Sequence, residues 1–189
     1  MKKLFYDCEI ANCIPSTYEE NDPNYKYCDG WHDFKGMGIA VIGVYLDWVD
    51  KYLSFEIHEL AEFAAIANSV DEIIGFNSIN FDDNLLQANG INIKTTFDLL
   101  CQVRIAAGMP PHFVRGVTRG GYSLGAIATA NLDYTKTGSG ELAPKLWQDG
   151  KRQQVIDYCL NDVKLLVDLY RLDQLVDPTD GSIFKIHQT

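Results

Sequence analysis

Long apolar runs are missing from this chain of 189 residues. No stretch approaches the roughly 20 consecutive apolar residues that a transmembrane helix needs. The first six residues resemble the basic start of a signal peptide, but Asp7 and Glu9 place two charges where its apolar segment would lie. We therefore expect a protein without a membrane-spanning segment.

Cysteine pairs at short spacing are also missing. The five cysteines are odd in number and include no CxxC motif, and the spacing of Cys8, Cys13 and Cys28 matches no common zinc site. A disulfide framework would be unusual for such a chain. We therefore expect reduced thiols and a cytoplasmic protein.

Complete signatures of several enzyme classes are absent as well. The string His-Glu-Leu-Ala-Glu at 58–62 begins like the HExxH motif of zinc proteases, but a glutamate occupies the second histidine position. The glycines at 116–121 and 138–140 lack the Lys-Ser/Thr pair of a phosphate-binding loop. No GxSxG motif of serine hydrolases occurs. These three chemistries are set aside.

Positive charge is scarce, since 16 basic residues face 26 acidic ones and the net charge is −10. The first 93 residues hold 5 basic and 16 acidic groups, whereas residues 94–152 hold 8 basic and 4 acidic groups. An acidic total argues against tight nonspecific binding to duplex nucleic acid. The basic middle third still leaves a surface that can meet phosphates.

The remaining composition is that of one globular domain covering residues 1–189, because 47% of the residues are apolar. Strand patterns occur at 3–8, 38–46, 51–55 and 72–76, and helix patterns at 58–67, 81–88, 123–130 and 153–175. Residues 95–99 fit either a strand or a helix start, and residues 14–36 form a long polar loop. Mixed strands and helices indicate a layered α/β or α+β domain.

Three groups of polar residues follow these elements. Asp7 and Glu9 end the first strand on one face, because side chains alternate along a strand. Asp82 lies in the first turn of a helix, where backbone N–H groups favour an anion, and Tyr158 and Asp162 share one face of the last helix. Taken singly, each group also fits an ordinary strand end, helix N-terminus or polar helix edge.

In this order, D-x-E, N-x3-F-D and Y-x3-D, the groups resemble the DEDDy exonucleases of the ribonuclease H-like superfamily. The resemblance is strongest to the proofreading exonuclease domains of family B DNA polymerases and covers about residues 3–172. The N-x3-F-D spacing and the string Tyr-Cys-Leu-Asn-Asp at 158–162 carry it. It implies a ribonuclease H-like α/β fold, a mixed five-stranded sheet flanked by helices.

The resemblance also implies a catalytic site. Asp7, Glu9, Asp82 and Asp162 would hold two divalent ions, Mg²⁺ or Mn²⁺, since hard cations prefer carboxylate oxygens. Tyr158 would orient the attacking water, because a tyrosine with its ordinary pKa near 10 is a poor general base. The expected reaction is stepwise release of 5′-nucleotides from a single-stranded 3′ end.

Five further residues are candidates for substrate contacts. Asn77 and Phe81 would meet the terminal nucleotide, and Arg115, Arg119 and Lys136 would follow the backbone of a single strand. DNA is expected over RNA, because the relatives that the motifs resemble process DNA. A polymerase or another replication or repair protein acting in trans is a further expected partner.

Two other classes remain open from the residues alone. One is a pseudo-nuclease that binds nucleic acid or a protein partner without cutting. The other is a metal-dependent hydrolase of RNA or of a small phosphodiester, which the acidic net charge favours. Metal titration tests the first class, and comparing oligonucleotides of increasing length tests the second.

Overall fold

The computed structural model describes residues 1–18, 20–134, 136 and 140–186. Within these residues the strands are β1 (Lys3–Ile10), β2 (Ile39–Leu46), β3 (Lys51–Glu56), β4 (Glu72–Gly75), β5 (Phe97–Asp98), β6 (Leu175–Val176) and β7 (Ile183–Phe184). The helices are α1 (Phe34–Met37), α2 (Leu60–Ala67), α3 (Asp82–Ala88), α4 (Leu99–Ala106), α5 (Leu124–Asn131), α6 (Ala143–Gln148) and α7 (Arg152–Tyr170). A 3₁₀ turn at Ile57–Glu59 precedes α2.

A five-stranded sheet in the order β3-β2-β1-β4-β5 forms the middle of the molecule. The strand β1 pairs antiparallel with β2 and parallel with β4, and β4 pairs parallel with β5. Helices cover both faces of the sheet, because α4, α5 and α7 share one apolar core with it and α2 and α3 share another. The mixed five-stranded α/β sheet predicted from the sequence is therefore confirmed.

The alternation of side chains along β1 assigns each residue to one of two cores. Leu4 and Tyr6 pack in the core that contains Phe63 of α2 and Leu85 and Leu86 of α3. The side chain of Phe5 lies in the other core, which contains apolar residues of α4, α5 and α7. Since Asp7 and Glu9 continue the face of Phe5, they point toward α7.

The longest helix ends earlier than predicted. The apolar pattern predicted a helix up to residue 175, but α7 ends at Tyr170. Leu175 belongs to β6, which pairs with β7, and it is fully buried in the same core as α7. A buried apolar residue at this position fits a longer helix as well as a separate strand. The apolar pattern alone therefore placed the end of α7 too late.

Several local expectations are refined by the structure. The segment 95–99 contains both a strand and a helix start, because β5 ends at Asp98 and the side chain of Asp98 caps the N-terminus of α4. The polar loop at 14–36 ends in the short helix α1, and a bridge between Cys13 and Tyr27 joins the start of the loop to its middle. None of the helices within the described residues is long and apolar enough to cross a membrane.

Candidate active site

Four carboxylates from three separate elements meet in one cavity of about 970 Å³. Asp7 and Glu9 come from β1, Asp82 is the first residue of α3, and Asp162 lies on α7. Three of these side chains are nearly inaccessible, with exposed fractions of 7% for Glu9, 5% for Asp82 and 3% for Asp162. The three sequence motifs thus come together in space.

The topology of the sheet accounts for this convergence. Because β1 and β4 are parallel neighbours, both strands end at the same edge, and the chain leaves β4 toward the start of α3 at that edge. The backbone N–H of Cys8 donates to Asp82 Oδ1 at 3.1 Å, which joins the second motif to the first. The helix α7 then crosses β1 and β2 and adds the third motif.

The two adjacent aspartates of α3 have different surroundings. Asp82 lines the cavity, whereas Asp83 is absent from the described residues that line it. Asp83 instead accepts hydrogen bonds from the Tyr6 hydroxyl at 2.6 Å and from the Thr95 N–H at 3.1 Å. Asp83 therefore ties α3 to β1 and to the approach to β5, while Asp82 faces the other carboxylates.

Lys136 is an unexpected member of the carboxylate cluster. Its Nζ lies 2.5 Å from Asp162 Oδ2 and donates to the Tyr158 hydroxyl at 2.7 Å. Although burial alone would lower the pKa of Lys136, the neighbouring Asp162 raises it, so the side chain carries a positive charge. The predicted contact of Lys136 with the backbone of a nucleic-acid strand stays a prediction, and the structure places its Nζ against Asp162 and Tyr158.

Burial and mutual repulsion dominate the electrostatics of the cluster. Burial raises the pKa of Asp7, and the neighbouring Asp162, Glu9 and Asp82 raise it further. Burial also raises the pKa of Glu9, helped by Asp162, and it raises the pKa of Asp82 to about 7. Such shifts mean that the ionised cluster is short of positive charge.

A divalent cation fits this donor set. Ligand atoms of Asp7, Glu9 and Cys159 all lie within 4.8 Å of one another. Asp162 Oδ1 is buried and has no hydrogen-bond partner among the described residues, and a buried carboxylate oxygen without a partner is costly. The buried carboxylates and this oxygen would be satisfied by a metal, and carboxylate oxygens are ligands that Mg²⁺ and Mn²⁺ prefer.

Cys159 lies between the carboxylate cluster and β2. Its thiol donates to the main-chain oxygen of Asp7 at 3.3 Å, and the Gly43 N–H donates to its sulfur at 3.2 Å. A side chain at Gly43 would place its Cβ 2.9 Å from that sulfur. The sequence indicated only a reduced thiol here, because nothing local to α7 reveals that a glycine of β2 faces it.

The candidate substrate residues divide into two groups. Asn77, Phe81 and Lys136 line the cavity, whereas Arg115 and Arg119 are not among the described residues that do. Arg115 is exposed, and the Arg119 guanidinium donates to the Ala107 carbonyl at 2.9 Å. The loop at 108–121 therefore places its arginines outside the cavity wall. Their contact with the backbone of a nucleic-acid strand stays a prediction.

The segment between β1 and α1 lines much of the cavity. Its members there include Ile14, Glu20, Asp22, Tyr27 and Trp31. Sequence reasoning found no role for this segment, since its polar composition indicates a loop but not the surface that the loop covers. An exposed tryptophan within a polar loop is the signal that could have drawn attention to it.

No protein-family model matches the chain, and no curated protein sequence does so. The fold is similar to solved structures, among them the family B DNA polymerase from the hyperthermophilic archaeon Pyrobaculum calidifontis, with a TM-score of 0.56 and 16% identity. The similarity covers 89% of this chain and 24% of that chain, so this protein spans about a quarter of the polymerase. At this identity the likeness concerns the fold, and it agrees with the predicted ribonuclease H-like α/β architecture.

Proposed function

We propose that this protein is a metal-dependent 3′–5′ exonuclease of the DEDDy type, which releases 5′-mononucleotides from the 3′ ends of single-stranded DNA. The observation that carries the proposal is the meeting of Asp7, Glu9, Asp82 and Asp162 with Tyr158 in one cavity. A fold shared with a family B DNA polymerase supports a role in nucleic-acid chemistry. The polarity and the preference for DNA follow from the motif resemblance.

The four carboxylates are the residues that would hold two Mg²⁺ or Mn²⁺ ions. When bound, such ions supply a water of lowered pKa and neutralise charge that develops on the phosphate. The chain itself fixes the carboxylates before substrate arrives, because Asp82 is tied to the backbone of β1 and Asp162 is paired with Lys136. Preorganised charges of this kind need no rearrangement during the reaction.

Tyr158 orients the attacking water by a hydrogen bond. Burial raises the pKa of Tyr158, and the carboxylate of Asp162 raises it further, so the phenol keeps its proton at neutral pH. Lys136 donates to the phenol oxygen and thereby fixes the direction in which the hydroxyl points. In this role Tyr158 positions the water and does not remove its proton.

A cleavage assay on 5′-labelled single-stranded DNA tests the proposal. The samples contain Mg²⁺, Mn²⁺ or EDTA, and Asp7→Ala and Asp162→Ala run beside the unchanged chain. We expect a ladder that shortens from the 3′ end, requires metal and disappears in both variants. A matching RNA shows which nucleic acid is preferred.

Two results would redirect the assignment. If neither DNA nor RNA is cut but Mg²⁺ or Mn²⁺ binds in calorimetry, the cavity belongs to a hydrolase of smaller phosphodiesters. If no metal binds either, the protein is a pseudo-nuclease that uses the fold for binding alone. A positive ladder would make a polymerase, or another replication or repair protein acting in trans, the partner to look for.

A further inference from the structure

Trp31 is the most exposed large aromatic side chain in the wall of the cavity. Its exposed fraction is 70%, which is high for a residue type that is mostly buried in folded proteins. The side chain lies among the residues that line the same cavity as the four carboxylates. Most of the indole surface is thus accessible to a ligand near the candidate active site.

The turn that carries Trp31 is held in place by its own hydrogen bonds. The Asp33 N–H donates to the Gly30 carbonyl at 3.0 Å, and Asp33 accepts from the N–H groups of Asp29 and Gly36 at 2.9 and 2.8 Å. The backbone at Gly30 has a φ of 121°, which a residue with a side chain rarely adopts. The indole therefore sits on a defined turn within the loop.

Aromatic neighbours connect Trp31 to the second motif. Its ring centroid lies 6.5 Å from that of Phe81, at an interplanar angle of 65°. Phe34 contacts the same ring of Phe81 at 5.8 Å. Since Phe81 immediately precedes Asp82, the aromatic cluster of Trp31, Phe34 and Phe81 lies next to the carboxylates.

Charge differs between the two sides of the cavity. Among the described lining residues from the loop that carries Trp31, Glu20 and Asp22 are acidic and none is basic. The lining residues from 136–145 include Lys136 and Lys145, with Glu141 as the acidic member. Phosphates are repelled more strongly by the first side than by the second, where Lys136 is paired with Asp162 and Lys145 offsets Glu141, whereas uncharged bases can approach the aromatic side.

We propose that Trp31 is a stacking platform for an unpaired base of the strand whose 3′ end enters the carboxylate cluster, with the phosphates along the side of Lys136 and Lys145. This inference rests on the proposed exonuclease function and adds to it the orientation of the strand. A base can stack on an exposed ring regardless of its identity. A paired base is unavailable for such stacking, so the platform favours single-stranded ends over blunt duplex ends.

Binding and cleavage of a short oligonucleotide test the platform. The probe is a thymidine oligodeoxynucleotide of about ten residues with a 5′ fluorescein, in Ca²⁺ instead of Mg²⁺, and a gel of the same samples verifies that it stays intact. We expect the probe to quench tryptophan fluorescence in the unchanged chain and this quenching to be lost in Trp31→Ala. The Kd measured by anisotropy should rise roughly tenfold or more in the variant. In cleavage assays with Mg²⁺, the KM of the variant should rise, whereas its kcat should stay within about twofold of that of the unchanged chain.

Two controls separate stacking from a general disturbance of the loop. Trp48→Ala removes a tryptophan at the turn between β2 and β3, and it should leave the Kd within about twofold. A probe with abasic sites should bind the unchanged chain more weakly than the intact probe does. Trp31→Ala should weaken the abasic probe no further, because the stacking partner is already missing.

The outcomes distinguish this inference from the function on which it rests. If the unchanged chain produces the 3′ ladder but Trp31→Ala binds, quenches and cuts as before, the platform is refuted and the exonuclease stands. Equal further loss on the abasic probe would also refute stacking. If the unchanged chain neither binds nor cuts DNA or RNA, both proposals fail together.

Discussion

Neighbouring residues of one helical turn have separable tasks. Asp82 faces the carboxylate cluster, and Asp83 accepts hydrogen bonds from Tyr6 and Thr95. The motif spacing selected Asp82, and from the sequence alone the loss of Asp83 was expected to have a mild effect. The contacts show that Asp83 has a structural role, because Tyr6 is 1% exposed and its hydroxyl would lose its carboxylate partner.

Replacement of either aspartate by alanine should separate these tasks. In Asp83→Ala we expect a loss of about 1–3 kcal/mol of folding free energy, measured by urea unfolding, with cleavage retained at a temperature where the variant is folded. In Asp82→Ala we expect no cleavage and weaker metal binding in calorimetry. If Asp83→Ala abolishes cleavage in a fully folded protein while Asp82→Ala does not, the motif assignment is off by one residue.

The pair formed by Tyr158 and Lys136 offers a second test at the residue scale. In Tyr158→Phe we expect cleavage slower by roughly tenfold to a hundredfold, because the water loses its orienting hydroxyl. Metal affinity in calorimetry should change little, since the phenol is not one of the four carboxylates. A loss of metal affinity as large as that of Asp82→Ala would mean that Tyr158 shapes the metal site instead.

At the scale of elements, local patterns predicted what depends on local spacing. Alternating side chains assigned Asp7 and Glu9 to one face of β1, and four-residue spacing put Tyr158 and Asp162 on one face of α7. The end of α7 was not predictable in this way, because Leu175 fills the same core from a strand. The helix α6, in which Pro144 is the second residue, was not predicted because its six residues are too few to show a helical period.

Two features of the site, the contact of Lys136 with Asp162 and the position of Cys159, were not predictable from the sequence for a related reason. Lys136 reaches Asp162 from a loop, where no periodicity assigns a direction to a side chain. Cys159 occupies a position that depends on Gly43 of β2, which is 116 residues away along the chain. Tertiary contacts between distant elements set both positions, so the motifs revealed the carboxylates but not the groups around them.

The packing of α7 on β2 supplies a prediction at this scale. In Gly43→Ala the added Cβ would lie 2.9 Å from Cys159 Sγ and 3.3 Å from Leu160 Cδ2, so α7 must shift away from the sheet. We expect a loss of about 1–3 kcal/mol in folding free energy and slower cleavage, because α7 carries Tyr158 and Asp162.

A second substitution checks that this effect comes from the close approach. Cys159→Ala removes the sulfur that the new Cβ meets, so the double variant should regain part of the stability and activity lost in Gly43→Ala. Leu160 and Val163 also lie within 3.3 Å of the added carbon, and full recovery is not expected. Strictly additive losses in urea unfolding would show that Gly43 matters for another reason.

At the scale of the whole molecule, the fold gathers negative charge that the chain cannot neutralise alone. The net charge is −10, and Lys136 is the one cation that the described residues bring into an ion pair with the four carboxylates. Among these carboxylates the pKa values of Asp7, Glu9 and Asp82 are raised chiefly by burial. Without metal, the folded state therefore binds more protons than the unfolded state near neutral pH.

The sign of the pH dependence follows from this difference. A group whose pKa is higher in the folded state contributes stability at low pH, and that contribution disappears as pH rises through the folded pKa. For Asp82 the window runs from its ordinary value near 4 to about 7. In most proteins the folding stability rises with pH over this range, because acid denatures them. A stability that falls with pH would therefore be attributable to the cluster.

We expect the melting temperature of the metal-free protein in EDTA to fall by roughly 5 °C or more between pH 5 and pH 7.5. Mn²⁺ or Mg²⁺ at pH 7.5 should restore it, because a bound cation replaces the protons that the carboxylates have lost. Scanning calorimetry of the unchanged chain and of Asp82→Asn provides the comparison. The neutral amide cannot titrate, so the fall should be smaller in the variant, and its recovery with metal should be smaller as well. A melting temperature that rises with pH in EDTA would show that this cluster does not govern the stability of the metal-free fold, and an equal fall in Asp82→Asn would show that Asp82 does not contribute to the effect.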